Sequence, residues 1–182
     1  WRVEGDEGEK GGIDQSVNGG SFTTAKEISK DVFGFEPPVY QFYEWISIKE
    51  GEAFSSSAGN ATTLDEVGEV YEPEVLRFLF VGTKPKSAFN ISFDNDVIKL
   101  YEDYDRLEDK YYAGLANPRE KRMYEFSNIN FPKEKPERMG FRHLITLVQL
   151  DQLEGLNEYD LKRAEKVKNW LDKHAGDDMK FE

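Results

Sequence analysis

A short run of small polar residues offers the chain's clearest chemistry. Ala53-Phe54-Ser55-Ser56-Ser57-Ala58-Gly59-Asn60 places hydroxyls beside a glycine, so several backbone N–H groups can turn toward one anion. Phosphate-binding nests are built this way, although the same composition also suits a solvated surface loop. A second chemistry is local cationic charge. Between Arg119 and Arg142 stand Arg119, Lys121, Arg122, Lys133, Lys135, Arg138 and Arg142, seven bases against Glu120, Glu125, Glu134 and Glu137. That excess can meet an RNA backbone, with an ordinary charged surface as the alternative. Lys162, Arg163, Lys166 and Lys168 form a second basic stretch suited to balancing their own helix dipole. Trp170, Phe141 and Phe131 are aromatic platforms on which splayed bases can stack, although Trp170 at helical spacing also fits a core. The carboxylates Glu102, Asp103, Asp105, Glu108 and Asp109 alternate with Arg106 and Lys110 and read as a solvated helix face. His143 and His174 are the only histidines, and neither has the convergent donors a metal needs. No metal is expected, and no catalytic residue is assigned.

Composition limits the partners. A formal charge of −12 opposes indiscriminate nucleic-acid binding, which Lys and Arg drive by releasing counterions, so any RNA contact must be local. The absence of cysteine removes disulfides, thiolate metal sites and cysteine nucleophiles. No apolar run is long enough to span a bilayer and no signal-peptide pattern opens the chain, so a cytoplasmic location is expected. An opening Trp1 rather than Met reads as a fragment.

The elements that must carry these residues follow from periodicity and punctuation. Trp1 to Gly20 is glycine-rich loop with at most one short strand. Ser21 caps a helix with Phe22, Ala25, Ile28 and Val32 on one face, ended by Gly34, Pro37 and Pro38. Tyr40 to Lys49 is aromatic and β-branched, hence a strand. Thr63 caps a short helix through Val70, Pro73 opens another through Val81, and Phe89 to Phe93 alternates as a strand. The longest helix runs from about Asn95 to Tyr112 on a stripe of Leu100, Tyr104, Leu107 and Tyr111. After an unassigned segment to Phe131 and Pro132, helices are expected over Glu137 to Gln152 and over Asn157 to Ala175, the latter burying Leu161, Val167, Trp170 and Leu171.

These residues resemble a family. The run from Ala53 to Asn60 is similar to the Lys-Met-Ser-x-Ser-Lys-Gly-Asn form that the KMSKS loop takes in class I lysyl-tRNA synthetases, with Ser55, Ser57, Gly59 and Asn60 matching. The flanks are more specific: Tyr43-Glu44-Trp45-Ile46, Tyr71-Glu72-Pro73-Glu74-Val75-Leu76-Arg77-Phe78, Tyr101-Glu102-Asp103-Tyr104-Asp105-Arg106 and Asn169-Trp170 all look like that family. Gly12-Ile13-Asp14-Gln15 resembles the Gly-x-Asp-Gln element, and Gly19-Gly20-Ser21 the next motif triplet. The likeness runs from about Gly12 onward.

The resemblance implies a fold and a function. The fold is mainly α: residues 1–39 are an α/β remnant of the catalytic nucleotide-binding fold, residues 40–113 a β-α-α-β-α stem-contact region, and residues 114–182 part of an all-α anticodon-binding cage. ATP and lysine are the implied substrates and lysine tRNA the implied partner. Asp14 and Gln15 would face the adenylate, Gly19 and Gly20 would open a helix end to it, and Ser55, Ser57, Gly59 and Asn60 would close over the phosphates. Two departures weaken catalysis. The family's loop lysines are Ala53 and Ala58 here, and no His-Ile-Gly-His type signature is present. The chain is therefore expected to be inactive or impaired alone. Exposed apolar surface makes self-association an expectation. The alternative is a non-catalytic tRNA-binding or engineered scaffold module derived from such an enzyme.

Overall fold

The computed structural model describes residues 9–48, 63–130 and 132–174. By contacts the chain divides into two compact units, one of Trp1–Phe54 with Thr83–Ile91 and the other of Ser55–Gly82 with Ser92–Glu182. The described residues are mainly helical, with small sheets.

In the first unit, β1 (Glu9–Gly12) and β2 (Tyr40–Tyr43) pair in parallel, with Gly12 opposite Tyr43. A parallel pair needs a crossover, and a 3-10 turn (Ile13–Ser16) followed by α1 (Ser21–Asp31) supplies it. Gly20 rather than Ser21 is the N-cap, so the expected serine cap is corrected by one position. The expected apolar face of α1 is only half used. Phe22 stacks on Tyr40 at 3.9 Å between ring centroids, whereas Ile28 and Val32 are exposed.

The single strand expected over Tyr40 to Lys49 is two. After Tyr43 the chain leaves β1: the Glu44 amide donates to Pro85 at 2.9 Å, and the Trp45 carbonyl accepts from the Phe89 amide. β3 (Ile46–Ile48) then pairs in parallel with β4 (Phe89–Ile91), which ends before Phe93. The aromatic and β-branched run is continuous in propensity, and a change of hydrogen-bonding partner interrupts it.

The second unit is helical. α2 (Leu64–Val70) starts from the expected Thr63 cap, completed as a capping box by Glu66. α3 (Pro73–Gly82) follows, then α4 (Asp96–Tyr112), whose Val97, Ile98, Tyr101, Tyr104 and Leu107 are buried. α5 (Pro118–Ser127) fills the segment left unassigned by sequence, and Phe131 lies outside the described residues. α6 (Phe141–Gln149) begins four residues later than expected: Gly140 is extended as its N-cap, and the Met139 amide donates to Asp160 instead of entering a helix. α7 (Glu158–His174) closes the unit. Helices α3 and α5 pack together, as do α6 and α7, while α2 rests on α7 and α4 on α5 and α6. Leu161 is exposed instead of buried, and Arg163 occupies the interior in its place.

Among the described residues, no helix is long and apolar enough to cross a membrane.

Candidate functional site

The first unit gathers its polar residues at the carboxyl end of β1. Gly11 and Gly12 end the strand, and the 3-10 turn immediately presents Asp14 and Gln15, both exposed. In open parallel sheets this end of the strands is where ligands bind. The approach is close: a Cβ at Gly11 would lie 2.7 Å from the Tyr40 hydroxyl, itself fixed by donating to the Gly12 carbonyl at 2.8 Å. A Cβ on Gly20 would collide with the Gln15 carbonyl. Glycine at both places lets strand, turn and helix start crowd together. Gly19 has φ of 79°, a left-handed conformation that costs glycine little. No side chain caps the start of α1, which therefore presents a positive dipole end beside the Asp14–Gln15 turn. This arrangement can accept hydroxyl hydrogens on Asp14, offer an amide from Gln15 and favour an anion at the helix end.

The serine-rich residues Ala53, Ser55, Ser57, Ala58, Gly59 and Asn60 lie outside the described residues. Their neighbours are β3 on one side and capped α2 on the other.

The second unit sorts the expected cations by partner. Arg119, Lys121 and Arg122 are exposed on α5, and Lys133 is exposed after it. Lys135 pairs with Asp109 at 2.5 Å and Arg142 with Glu102 at 2.9 Å. Arg138 points inward. It donates to Glu108 at 2.8 Å and approaches Glu72 at 3.5 Å, its guanidinium lying 5.7 Å from the Tyr104 ring and 5.6 Å from the Tyr159 ring. An open cavity of about 590 Å³ beside it is lined by charges of both signs, including Glu72, Glu74, Lys162 and Lys166.

Two expectations about charge are corrected here. Asp105 and Glu108 are not on a solvated face. Glu108 accepts from the Tyr124 hydroxyl at 2.7 Å as well as from Arg138, and Asp105 takes both oxygens to Arg163 at 2.9 Å. Burial pushes both carboxyls above the ordinary range, against the opposing pull of the arginines. Likewise Arg163 is fully buried and serves no helix-dipole role at the surface. Sequence could not show this, because its partners lie far away along the chain. Two of the three expected stacking aromatics are core residues too: Trp170 is buried with its indole N–H donating to the Phe93 carbonyl at 2.8 Å, and Phe141 is buried against it.

Comparison with known proteins matches residues 1–130 to the family described as tRNA synthetases class I (K). Similar proteins include the lysine–tRNA ligase of Borrelia garinii subsp. bavariensis, 42% identical over 202 residues that cover all of this chain and 38% of that protein. The lysine–tRNA ligase of Treponema pallidum is 37% identical, with 100% of this chain and 38% of that protein covered. That of Methanopyrus kandleri is 33% identical, covering 93% and 36%. The chain spans little more than a third of the length of these relatives.

Proposed function

Because the chain belongs to the class I tRNA synthetases (K), we propose that it is part of a lysine–tRNA ligase, which forms lysyl-adenylate from ATP and passes lysine to its tRNA. The observation carrying this reading is the Asp14–Gln15 turn at the carboxyl end of β1, hard against an uncapped helix start. In this role Asp14 and Gln15 face the adenylate, Gly19 and Gly20 keep the helix end open to it, and Ser55, Ser57, Gly59 and Asn60 close over the phosphates. Residues 1–39 belong to the nucleotide-binding fold. The order β3-α2-α3-β4-α4 within 40–113 supports a stem-contact fold, and 114–182 supply part of the anticodon-binding region. Arg119, Lys121, Arg122 and Lys133 meet the tRNA backbone.

Ala53 and Ala58 stand where the family's loop lysines balance charge on the leaving pyrophosphate, an electrostatic contribution worth ~3 kcal/mol in comparable sites. The chain alone therefore gives no lysine-dependent ATP–pyrophosphate exchange, and it binds lysine tRNA more tightly than an unrelated tRNA with affinity falling steeply as salt rises. Equal, salt-insensitive affinity for both RNAs would end the reading. The same two alanines favour a second reading, a tRNA-binding module without catalysis. Exchange regained in the Ala53→Lys/Ala58→Lys double variant excludes it; exchange still absent would show that the missing half, rather than the loop, limits the chemistry.

A further inference from the structure

With Trp170 and Phe141 buried, α5 carries an aromatic residue placed differently. Phe126 lies in the last turn of α5 and is 51% exposed. Arg122, one turn earlier, sets its guanidinium carbon 4.6 Å from the Phe126 ring centroid. Arg119 precedes Arg122 by three residues and so shares this face. Arg77 on α3 donates to the Phe126 carbonyl from Nε at 3.2 Å and Nη2 at 2.8 Å, fixing the backbone from which the ring projects. Among the described residues, no carboxylate forms an ion pair with Arg77, Arg119 or Arg122. In a chain of charge −12 such a cluster is unusual. A flat ring backed by a guanidinium, on a face with cations that no described carboxylate neutralises, suits a partner that is both flat and anionic. An apolar peptide would use the ring and waste the charge; an acidic peptide would do the reverse.

We propose that Phe126 and Arg122 form a stacking shelf for one unpaired nucleotide of RNA, with Arg77 and Arg119 facing its phosphates. Bases stack on aromatic rings and on guanidinium planes alike, which is how single-stranded RNA is commonly held. The inference rests on the tRNA-binding reading above and assigns it a contact point.

The test uses the whole chain and two substitutions at one position. Phe126→Ala should bind a lysine tRNA transcript ~10-fold more weakly than the parent chain in fluorescence anisotropy, with an unchanged circular dichroism spectrum. Phe126→Trp should keep that affinity within about two-fold and show extra tryptophan emission that is quenched when tRNA or an oligouridylate is added. If the parent chain binds tRNA but Phe126→Ala binds equally well and Phe126→Trp is not quenched, the shelf falls while the tRNA reading stands. If the parent chain does not bind tRNA, the broader reading fails, and oligouridylate decides the shelf: quenching supports it and no quenching overturns it. A concentration-dependent dimer that Phe126→Ala dissolves would assign this face to a second copy of the chain and also overturn it.

Discussion

Arg163 grips Glu72 with two parallel hydrogen bonds, 3.0 and 3.1 Å, across 91 residues of sequence. The same guanidinium reaches both oxygens of Asp105 and the Met139 carbonyl, so one fully buried cation ties α4, the start of α3, the strand of chain before α6, and α7. Removing it leaves Asp105 without its counter-charge and Glu72 with only the longer contact to Arg138 at 3.5 Å. Arg163→Met should lose about 3–5 kcal/mol of stability in urea unfolding. Arg163→Lys keeps the charge but cannot fork between two carboxylates, so its loss should fall between parent and Met variant. A Met variant as stable as the parent would show that the network contributes nothing net.

Glu108 gives a pH test with a fixed sign. Burial raises its folded-state pKa above the unfolded carboxylate value of about 4.3, so the folded chain holds its proton longer than the unfolded chain does. Between those two values stability attributable to Glu108 falls as pH rises. Against Glu108→Gln, which does not titrate, the parent's advantage in urea midpoint should therefore be greatest in acid and shrink toward neutral pH. An advantage that grows with pH would mean the arginine pull outweighs desolvation.

Helix α5 depends on its first turn. Asn117 accepts from the Arg119 and Glu120 amides at 3.0 and 2.9 Å, and Glu120 reaches back to the Asn117 amide at 2.9 Å. Asn117→Ala should cost ~1 kcal/mol in thermal or urea unfolding. A neutral result would show that packing of α5 against α3 and α4 holds the helix without its cap.

Arg119 and Arg138 should separate cleanly in RNA binding. Arg119→Ala should weaken tRNA binding and lower the slope of log affinity against log salt by ~1, because one phosphate contact is lost. Arg138→Met should leave that slope unchanged while lowering the urea midpoint, since Arg138 is committed to Glu108 and Glu72. Equal slope changes in both variants would contradict the sorting of cations by partner.

Much of the helical scaffold can be read directly from the sequence. The stripe of α4 and the Thr63 and Pro73 starts are local, so spacing alone reveals them. Helix α5 was equally accessible through Asn117, Pro118 and Glu120, a cap, a first-turn proline and a capping box, but its weak apolar face hid it. The strand break at Glu44 and Trp45 has no local mark, since β-propensity runs through it and only Pro85 and Phe89 decide where pairing changes. Buried charge is the other illegible feature. Asp105 and Glu108 sit among solvated acids on the same helix, and their partners Arg163 and Arg138 come from α7 and the chain before α6. The exposed shelf at Phe126 was missed for a related reason: helical spacing cannot tell an outward ring from an inward one when the helix itself goes unrecognised.

Strand β3 finishes long before β4 exists. Ser47 and Asn90, hydrogen-bonded side chain to side chain at 2.5 Å, are 43 positions apart, and α2 and α3 of the other unit are written between them. At ~5–20 residues per second a ribosome leaves β3 unpaired for ~2–9 s, while two helices that belong elsewhere emerge. Assembly of the first unit is thus timed by material it does not own, and a pause placed between codons 70 and 88 would lengthen the interval in which an open parallel edge is available to the wrong partner.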